Sequence, residues 1–143
     1  MNADLRVERI VVGSPGRVWS ALTDWERQSH WMPATRVSSV DGHRVGGRIT
    51  ARTGLGPLGF VDTMTVTRWD PPRRCDVMHT GRVVRGPGSF LVEPVGPDRC
   101  WVVWEERLEL PFGVVGRAVW PLVRPLARAG LAFALRRFSA TVR

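Results

Sequence analysis

Hydrophobic and polar residues alternate with a period of two in several short stretches between residues 5 and 110, which is the pattern of half-buried β-strands. A first strand is predicted at residues 5–12, and six more follow after a helical region. Their predicted ranges are 35–40, 48–53, 59–69, 74–80, 83–93 and 100–110. Turn signals rich in glycine, proline and aspartate separate them. Because these connections are short, neighbouring strands are expected to pair antiparallel as a meander.

Two short helices are predicted between the first and second strands. Ser14 followed by Pro15 is a helix start signal, because the serine oxygen can accept from a first-turn amide and proline at the first helical position loses no hydrogen bond. Thr23 and Glu26 have the spacing of a capping box, in which each side chain satisfies a free backbone amide of the new helix. A second helix is therefore expected to begin near Asp24.

Three of the chain's seven tryptophans, Trp19, Trp25 and Trp31, lie in this helical region at steps of six residues. In one continuous helix that step would turn each ring about 240° from the last. Two helices that meet at a corner would instead let the rings converge on one volume. The three rings are either core residues or, for Trp25 and Trp31, walls of a ligand cavity.

Residues 115–142 follow the three- and four-residue steps of one long amphipathic helix. Its apolar positions are Val119, Leu122, Val123, Leu126, Ala127, Gly130, Leu131, Ala134, Leu135 and Phe138. The opposite stripe consists of Arg117, Pro121, Arg124, Arg128, Ala132, Arg136, Ser139 and Arg143. The economical packing is a curved antiparallel sheet wrapped around the apolar face of this helix, which leaves a gap where the two diverge.

Length and composition indicate the number of domains, the state of the cysteines and the location of the protein. The 143 residues are enough for one domain, residues 1–143, with a substantial core. Cys75 and Cys100 are 25 residues apart and the histidines lack metal-ligand spacing, so no metal or cofactor is expected, and two buried thiols are favoured over a disulfide. The N-terminus is charged and no apolar stretch approaches the length of a membrane span, which predicts a soluble cytoplasmic protein.

The charge is strongly positive. All 21 lysine-plus-arginine residues are arginine, and the formal net charge is +8. Such a field attracts anionic partners. Peripheral contact with an anionic membrane or RNA through the arginine stripe of the last helix is therefore an alternative to a simple solvated face. No sequence-specific nucleic-acid binding is predicted, and monomer and homodimer both remain open.

Several stretches resemble one family. IVVGSPGRVWSALTDWERQSHWMP at residues 10–33, VTRWDPPRRC at 66–75, GPGSFLVEPVGPDRCWVVWEERLELP at 86–111 and the ending at 135–142 are similar to the START/Bet v 1-like (SRPBCC) superfamily, in its bacterial polyketide cyclase/dehydrase-like branch. The resemblance covers nearly the whole chain. It implies an α+β helix-grip fold: a curved antiparallel sheet of about seven strands around a long C-terminal helix, with two short helices after the first strand. It also implies a hydrophobic cavity, which relatives use to bind lipids, sterols or polyketides and sometimes to cyclise or dehydrate them.

Glu106 is the most informative polar residue. Side chains alternate across a strand, so it shares one face of residues 100–110 with Cys100, Val102, Trp104 and Leu108. A carboxylate on such an apolar face must be paired, protonated or beside a wet cavity. It could act as a general acid or base or hold a polar end of a ligand, unless it only reaches water at the open end of the sheet.

Two further polar residues interrupt apolar rows in the same way. Asp62 lies in the row of Phe60, Met64 and Val66, and His79 ends the row of Cys75 and Val77. If both rows face inward, Asp62, His79 and Glu106 converge from three strands as candidate catalytic residues for enolisation, aldol cyclisation or dehydration. A slip of one residue in any strand register would send one of them to solvent. The candidate ligand-binding residues are Trp25, Trp31, Met64, Arg85, Phe90 and Trp104.

Three functions are compatible with this pattern. The first is a binding protein or carrier for an apolar small molecule with Glu106 as a polar anchor. The second is a cyclase or dehydratase that acts on polyketide-like substrates through Asp62, His79 and Glu106. The third is association with an anionic membrane or RNA through the arginine stripe.

Overall fold

The structure, a computed structural model, describes residues 2–55 and 57–142 and contains seven strands and two α-helices in those ranges. In chain order the elements are β1 Asn2–Val12, α1 Pro15–Leu22, a 3₁₀ helix at Trp25–His30, β2 Thr35–Val40, β3 Arg48–Leu55, β4 Leu58–Asp70, β5 Arg74–Thr80, β6 Arg85–Gly96, β7 Arg99–Glu109 and α2 Gly113–Val142. All neighbouring strands are antiparallel, in the order β1-β7-β6-β5-β4-β3-β2. This order confirms the predicted meander and adds that β1 pairs with β7.

The two short helical segments begin differently from each other. The Ser14 side chain caps α1 by accepting from the amide of Arg17 at 3.4 Å, as predicted. The predicted capping box is wrong, because the Thr23 hydroxyl donates back to the carbonyl of Trp19 and Glu26 accepts from Ser39 at 2.8 Å. Without a side-chain cap, the second segment forms only a 3₁₀ helix.

The three tryptophans of this region are buried in one core, but they pack in two groups. Trp19 contacts Trp69 at a ring distance of 5.1 Å, and this pair continues through His43 to Trp25. Trp31 packs instead against Phe138 of α2, at 5.1 Å, and against Trp104 of β7, at 6.0 Å. The corner between the two helical segments therefore connects the sheet to the end of α2.

The long helix contacts the sheet mainly through its C-terminal part. Ala134, Leu135, Phe138 and Val142 are buried there. The predicted apolar face is wrong for the N-terminal part, where Val119, Leu122, Val123 and Leu126 are exposed. The periodicity correctly predicts a helix, but the described residues leave those side chains uncovered. The predicted opposite stripe is also interrupted, because Ser139 is buried and accepts from Arg9 at 3.0 Å; Arg143 lies outside the described residues.

The expectation about membrane-spanning length needs a correction. Of the described residues, only those of α2 form a helix that is long and apolar enough to cross a membrane by length and composition. Only 11% of its most apolar window is buried inside the protein. Most of that apolar surface is therefore left uncovered by the fold.

Candidate functional site

A cavity of about 500 Å³ lies between the sheet and α2. Its walls are mostly apolar and include Trp25, Met64, Phe90 and Trp104, with Leu131 and Ala134 contributed by the helix. Asp62, His79 and Glu106 interrupt this apolar lining on the sheet side. A largely apolar pocket with a few convergent polar groups is the usual form of a small-molecule site.

The structure brings Asp62, His79 and Glu106 together in one hydrogen-bonded triad. His79 Nδ1 lies 2.7 Å from Asp62 Oδ1, and His79 Nε2 lies 2.8 Å from Glu106 Oε2. The three residues come from β4, β5 and β7, and Gly88 of β6 leaves the space through which His79 reaches Glu106. Their contact follows from register: His79 pairs with Met64, two residues from Asp62, and Gly88 pairs with Glu106.

His79 carries a positive charge in this arrangement. Burial by itself would lower the pKa of the imidazole, but the hydrogen bonds to Asp62 and Glu106 and their negative charges outweigh burial and raise the pKa to about 10. Since a carboxylate oxygen accepts, both ring nitrogens donate, which requires the doubly protonated ring. At neutral pH the triad is thus a buried imidazolium between two carboxyl groups.

Trp104 completes the network. Its indole Nε1 donates to Glu106 Oε1 at 2.9 Å, so both oxygens of that carboxylate are held. Across residues 2–55 and 57–142, every buried side-chain nitrogen or oxygen has a hydrogen-bond partner. The sequence pattern predicts Trp104 only as an apolar ligand-binding residue, without this hydrogen bond. Its position two residues before Glu106 on the same strand face was the signal for this donor.

The predicted ligand-binding residues divide into two groups. Trp25, Met64, Phe90 and Trp104 line the cavity, while Trp31 and Arg85 are not among its lining residues. Trp31 is buried behind the wall, since it packs between Trp104 and Phe138. The exposed Arg85 guanidinium lies 3.7 Å from Glu109 at the end of the sheet, outside the cavity.

Cys75 also lines the cavity, but its chemistry is restricted. Burial and then the charge of Asp76 raise the pKa of its thiol to about 12, so it stays a neutral thiol at physiological pH. Both Cys75 and Cys100 are free and buried. Among the residues that the structure describes, no group of three or more His, Cys, Asp or Glu side chains is placed to hold a metal ion.

Gly88 gives a direct test of the triad geometry. A Cβ at this position would collide with Glu106 Oε2 and would lie 2.9 Å from Glu106 Cδ and 3.0 Å from His79 Nε2. We expect Gly88→Ala to displace the Glu106 carboxylate, lower the pKa of His79 and destabilise the fold by about 1–3 kcal/mol. NMR titration of the His79 ring and urea unfolding measure the two effects.

Gly96→Ala on the same strand is the matched control. A Cβ at Gly96 has no atom within 4 Å, so the stability of this variant should stay within about 0.5 kcal/mol of the parent. A Gly88→Ala protein with an unchanged His79 titration would contradict the packing described for the triad.

The fold defines a helix-grip protein with a cavity between its sheet and its long helix. A family model described as "Polyketide cyclase / dehydrase and lipid transport" matches residues 2–143. The chain belongs to this family. No curated protein is significantly similar to it in sequence.

Several solved structures share this fold. TTHA0849 from Thermus thermophilus has a TM-score of 0.83 at 19% identity, with 98% of this chain and 97% of that chain covered. The Zhui aromatase/cyclase from Streptomyces sp. R1128 has a TM-score of 0.82 at 12% identity, with 99% and 94% covered. A START superfamily protein from Mycobacterium smegmatis has a TM-score of 0.80 at 17% identity, with 99% and 97% covered.

Proposed function

We propose that this protein binds an apolar small molecule that carries a hydrogen-bond donor, in the cavity between the sheet and α2. The observation that carries the proposal is the position of Asp62, His79 and Glu106 on one wall of an otherwise apolar cavity. The family match supports ligand binding in general. The preference for a donor-bearing ligand rests on the triad alone.

The triad selects a ligand with a hydrogen-bond donor, because the hydrogen-bonding positions that remain unused in the triad are acceptors. Both N–H groups of His79 are engaged, whereas the carboxyl oxygens of Asp62 and Glu106 have lone pairs left. A hydroxyl, enol or phenol can donate to those oxygens, but a ligand that offers only acceptors cannot. The apolar body of the ligand would add about 25 cal/mol for each Å² that it removes from water.

A pair of matched ligands tests this preference. 2-Naphthol and 2-methoxynaphthalene share an apolar bicyclic ring, but only 2-naphthol has an O–H donor. We expect calorimetry at pH 7 to show at least about tenfold tighter binding of 2-naphthol, because a hydrogen bond to a charged group contributes about 1.5–3 kcal/mol. Native mass spectrometry of the freshly purified protein, compared with a denatured sample, would identify any retained natural ligand.

The control uses two adjacent glutamates. Glu106→Gln should reduce the preference for 2-naphthol, while Glu105→Gln should keep it, since Glu105 lies on the opposite face of β7 and pairs with Arg6 at 3.0 Å. Equal affinities of the parent for both ligands would refute the polar anchor. Absence of binding by either ligand, together with a clean mass, would refute ligand binding in this cavity.

The same triad favours a second candidate function, a cyclase or dehydratase. For this reaction one of the two carboxylates would leave His79. That carboxylate would take a proton from the carbon beside a ketone, and the N–H of His79 that it frees would give its proton to the carbonyl oxygen, which forms an enol. For dehydration, the enol proton returns to His79 as the carbonyl re-forms. In the same step the electron pair of the enol double bond expels the β-hydroxyl, which leaves with the carboxyl proton as water and restores the triad.

Exchange of protons on a simple ketone tests this candidate without the natural substrate. The parent should accelerate deuterium exchange at the methyl group of 2-acetonaphthone in D₂O, as followed by NMR. Asp62→Asn and Glu106→Gln should each lower that rate by about 100-fold, and Glu105→Gln should not. If the parent exchanges these protons no faster than the Glu106→Gln variant but still binds 2-naphthol, the result would favour a carrier over an enzyme.

The third function, association with an anionic membrane or RNA through the arginine stripe, has weaker support. Ser139 of that stripe is buried, and Arg124 donates to the carbonyl of Asp4 at 3.4 Å. The stripe is therefore partly occupied by contacts to β1. A cytoplasmic location remains a prediction.

A further inference from the structure

The end of the sheet at which the chain enters α2 carries a set of exposed apolar side chains. Because the strands alternate in direction, the β3–β4 turn, the β5–β6 turn and the β7–α2 connection all lie at this end. We call the exposed apolar residues there the apolar rim: Leu55, Leu58, Val83, Phe112, Val114 and Val115. Their exposed fractions range from 40% to 78%, which is unusual for residues of these types.

The rim surrounds one end of the cavity. Phe60, Val84 and Leu108 line the cavity and lie next to the same turns, and Phe60 is itself 39% exposed. Beyond the rim, Val119, Leu122 and Leu126 extend the exposed apolar surface along α2. They follow Val115 at steps of four, three and four residues, which places all four on one face of the helix.

Most charges around this surface are positive, although Asp4 of β1 and Glu109 of β7 lie at the same end of the sheet. Arg82 in the β5–β6 turn and Arg117 on the first turns of α2 are exposed. The whole of α2 contains five arginines and no acidic residue. Glu109, the acidic residue at the end of β7, lies 3.7 Å from Arg85 and so is offset by a neighbouring cation.

The combination of exposed apolar side chains and cations fits the interface of an anionic bilayer. Apolar residues enter the boundary between headgroups and acyl chains, and arginines contact the phosphates. A spanning arrangement is excluded by the packing of α2, because crossing the membrane would pull Leu135 and Phe138 out of the core and place Arg124 and Arg128 at membrane depth. The helix would therefore lie on the membrane.

We propose that the apolar rim, together with Leu122 and Leu126 of α2, docks this protein on an anionic phospholipid bilayer. The docking surface is outside the cavity, so the proposal stands whether or not the cavity binds a small molecule. The positive field of a chain with a net charge of +8 would attract the protein to the membrane, and the rim would then hold it there.

Vesicle flotation tests the proposal. The parent is expected to float with phosphatidylcholine vesicles that contain about 40% phosphatidylglycerol, with weaker binding to pure phosphatidylcholine and at high salt. Leu55→Ser combined with Leu58→Ser and Phe112→Ser should lower the partition coefficient by at least about tenfold. Arg82→Gln combined with Arg117→Gln should lower it on the anionic vesicles only.

The matched control is Val40→Ser combined with Val95→Ser. These valines are 70% and 54% exposed but lie at the opposite end of the sheet, so their loss should change binding by less than about twofold. Equal binding by the parent and the rim variant would overturn the proposal. So would a rim-dependent dimer in analytical ultracentrifugation without vesicle binding, or tighter binding of a single-stranded RNA that the rim variant retains.

Discussion

Between pH 7 and pH 9 the free energy of unfolding is expected to fall by about 1.4 kcal/mol for each pH unit. The cause is His79, whose pKa is raised from 6.5 to about 10 in the folded protein by Asp62 and Glu106, against the opposing effect of burial. A group whose pKa is raised on folding stabilises the protein fully below its unfolded pKa, and this stabilisation is lost as the pH rises through the folded pKa. The whole loss from pH 6.5 to 10 is on the order of 4 kcal/mol.

Urea unfolding followed by tryptophan fluorescence at pH 6.5, 7.5, 8.5 and 9.5 measures this slope. Cys75 contributes in the same direction only at higher pH, since its pKa rises from 9.0 to about 12, so the steps below pH 8.5 report on His79. Glu106→Gln should flatten the slope because one of the two groups that raise the pKa of His79 loses its charge. Glu105→Gln should leave it unchanged, and a flat profile in the parent would contradict a charged His79.

Phe138→Ala is expected to destabilise the protein by about 3–5 kcal/mol. The Phe138 ring is fully buried and packs against Trp31 at 5.1 Å, at the point where α2 meets the 3₁₀ helix and the sheet. Truncation removes its buried apolar surface and leaves a cavity beside the Trp31 ring. The expected result in urea is a lower transition midpoint, with Trp31 emission shifted by contact with water.

Phe133→Ala on the same helix is the control for this change. Phe133 is 47% exposed and stacks only loosely on Arg137, so its truncation should cost less than about 1 kcal/mol. If both variants lost the same stability, α2 would be held by contacts other than the Phe138 cluster.

The fold was largely predictable because hydrophobic and polar residues alternate along most strands. The predicted ranges 35–40 and 74–80 agree with β2 and β5 to the residue. Alternation also placed Asp62, His79 and Glu106 on inward faces, and the irregularity in β4 lies between Val66 and Arg68, beyond the residues of the site. Their contact depends on the register of four strands, which no local pattern specifies.

The wrong predictions concern burial and hydrogen-bond partners, which depend on contacts between residues that are distant in sequence. The apolar periodicity of α2 is real, but the sequence does not show that the sheet covers only its C-terminal part. Trp31 was expected to line the cavity because it is large and near the second helix; the neighbouring Phe138 and Trp104 rings enclose it instead. The spacing of Thr23 and Glu26 fits a capping box, but both side chains have closer partners in the folded protein.

The buried triad also affects which strand register the chain adopts. If β4, β5 or β7 paired one residue out of place, one member would turn to the other face of the sheet, and the others would keep a buried charge without its partner. A slipped sheet of similar hydrophobic content would thus carry an electrostatic penalty that the native one avoids. The three residues proposed to recognise a ligand therefore also distinguish the correct strand pairing from its near neighbours while the protein folds.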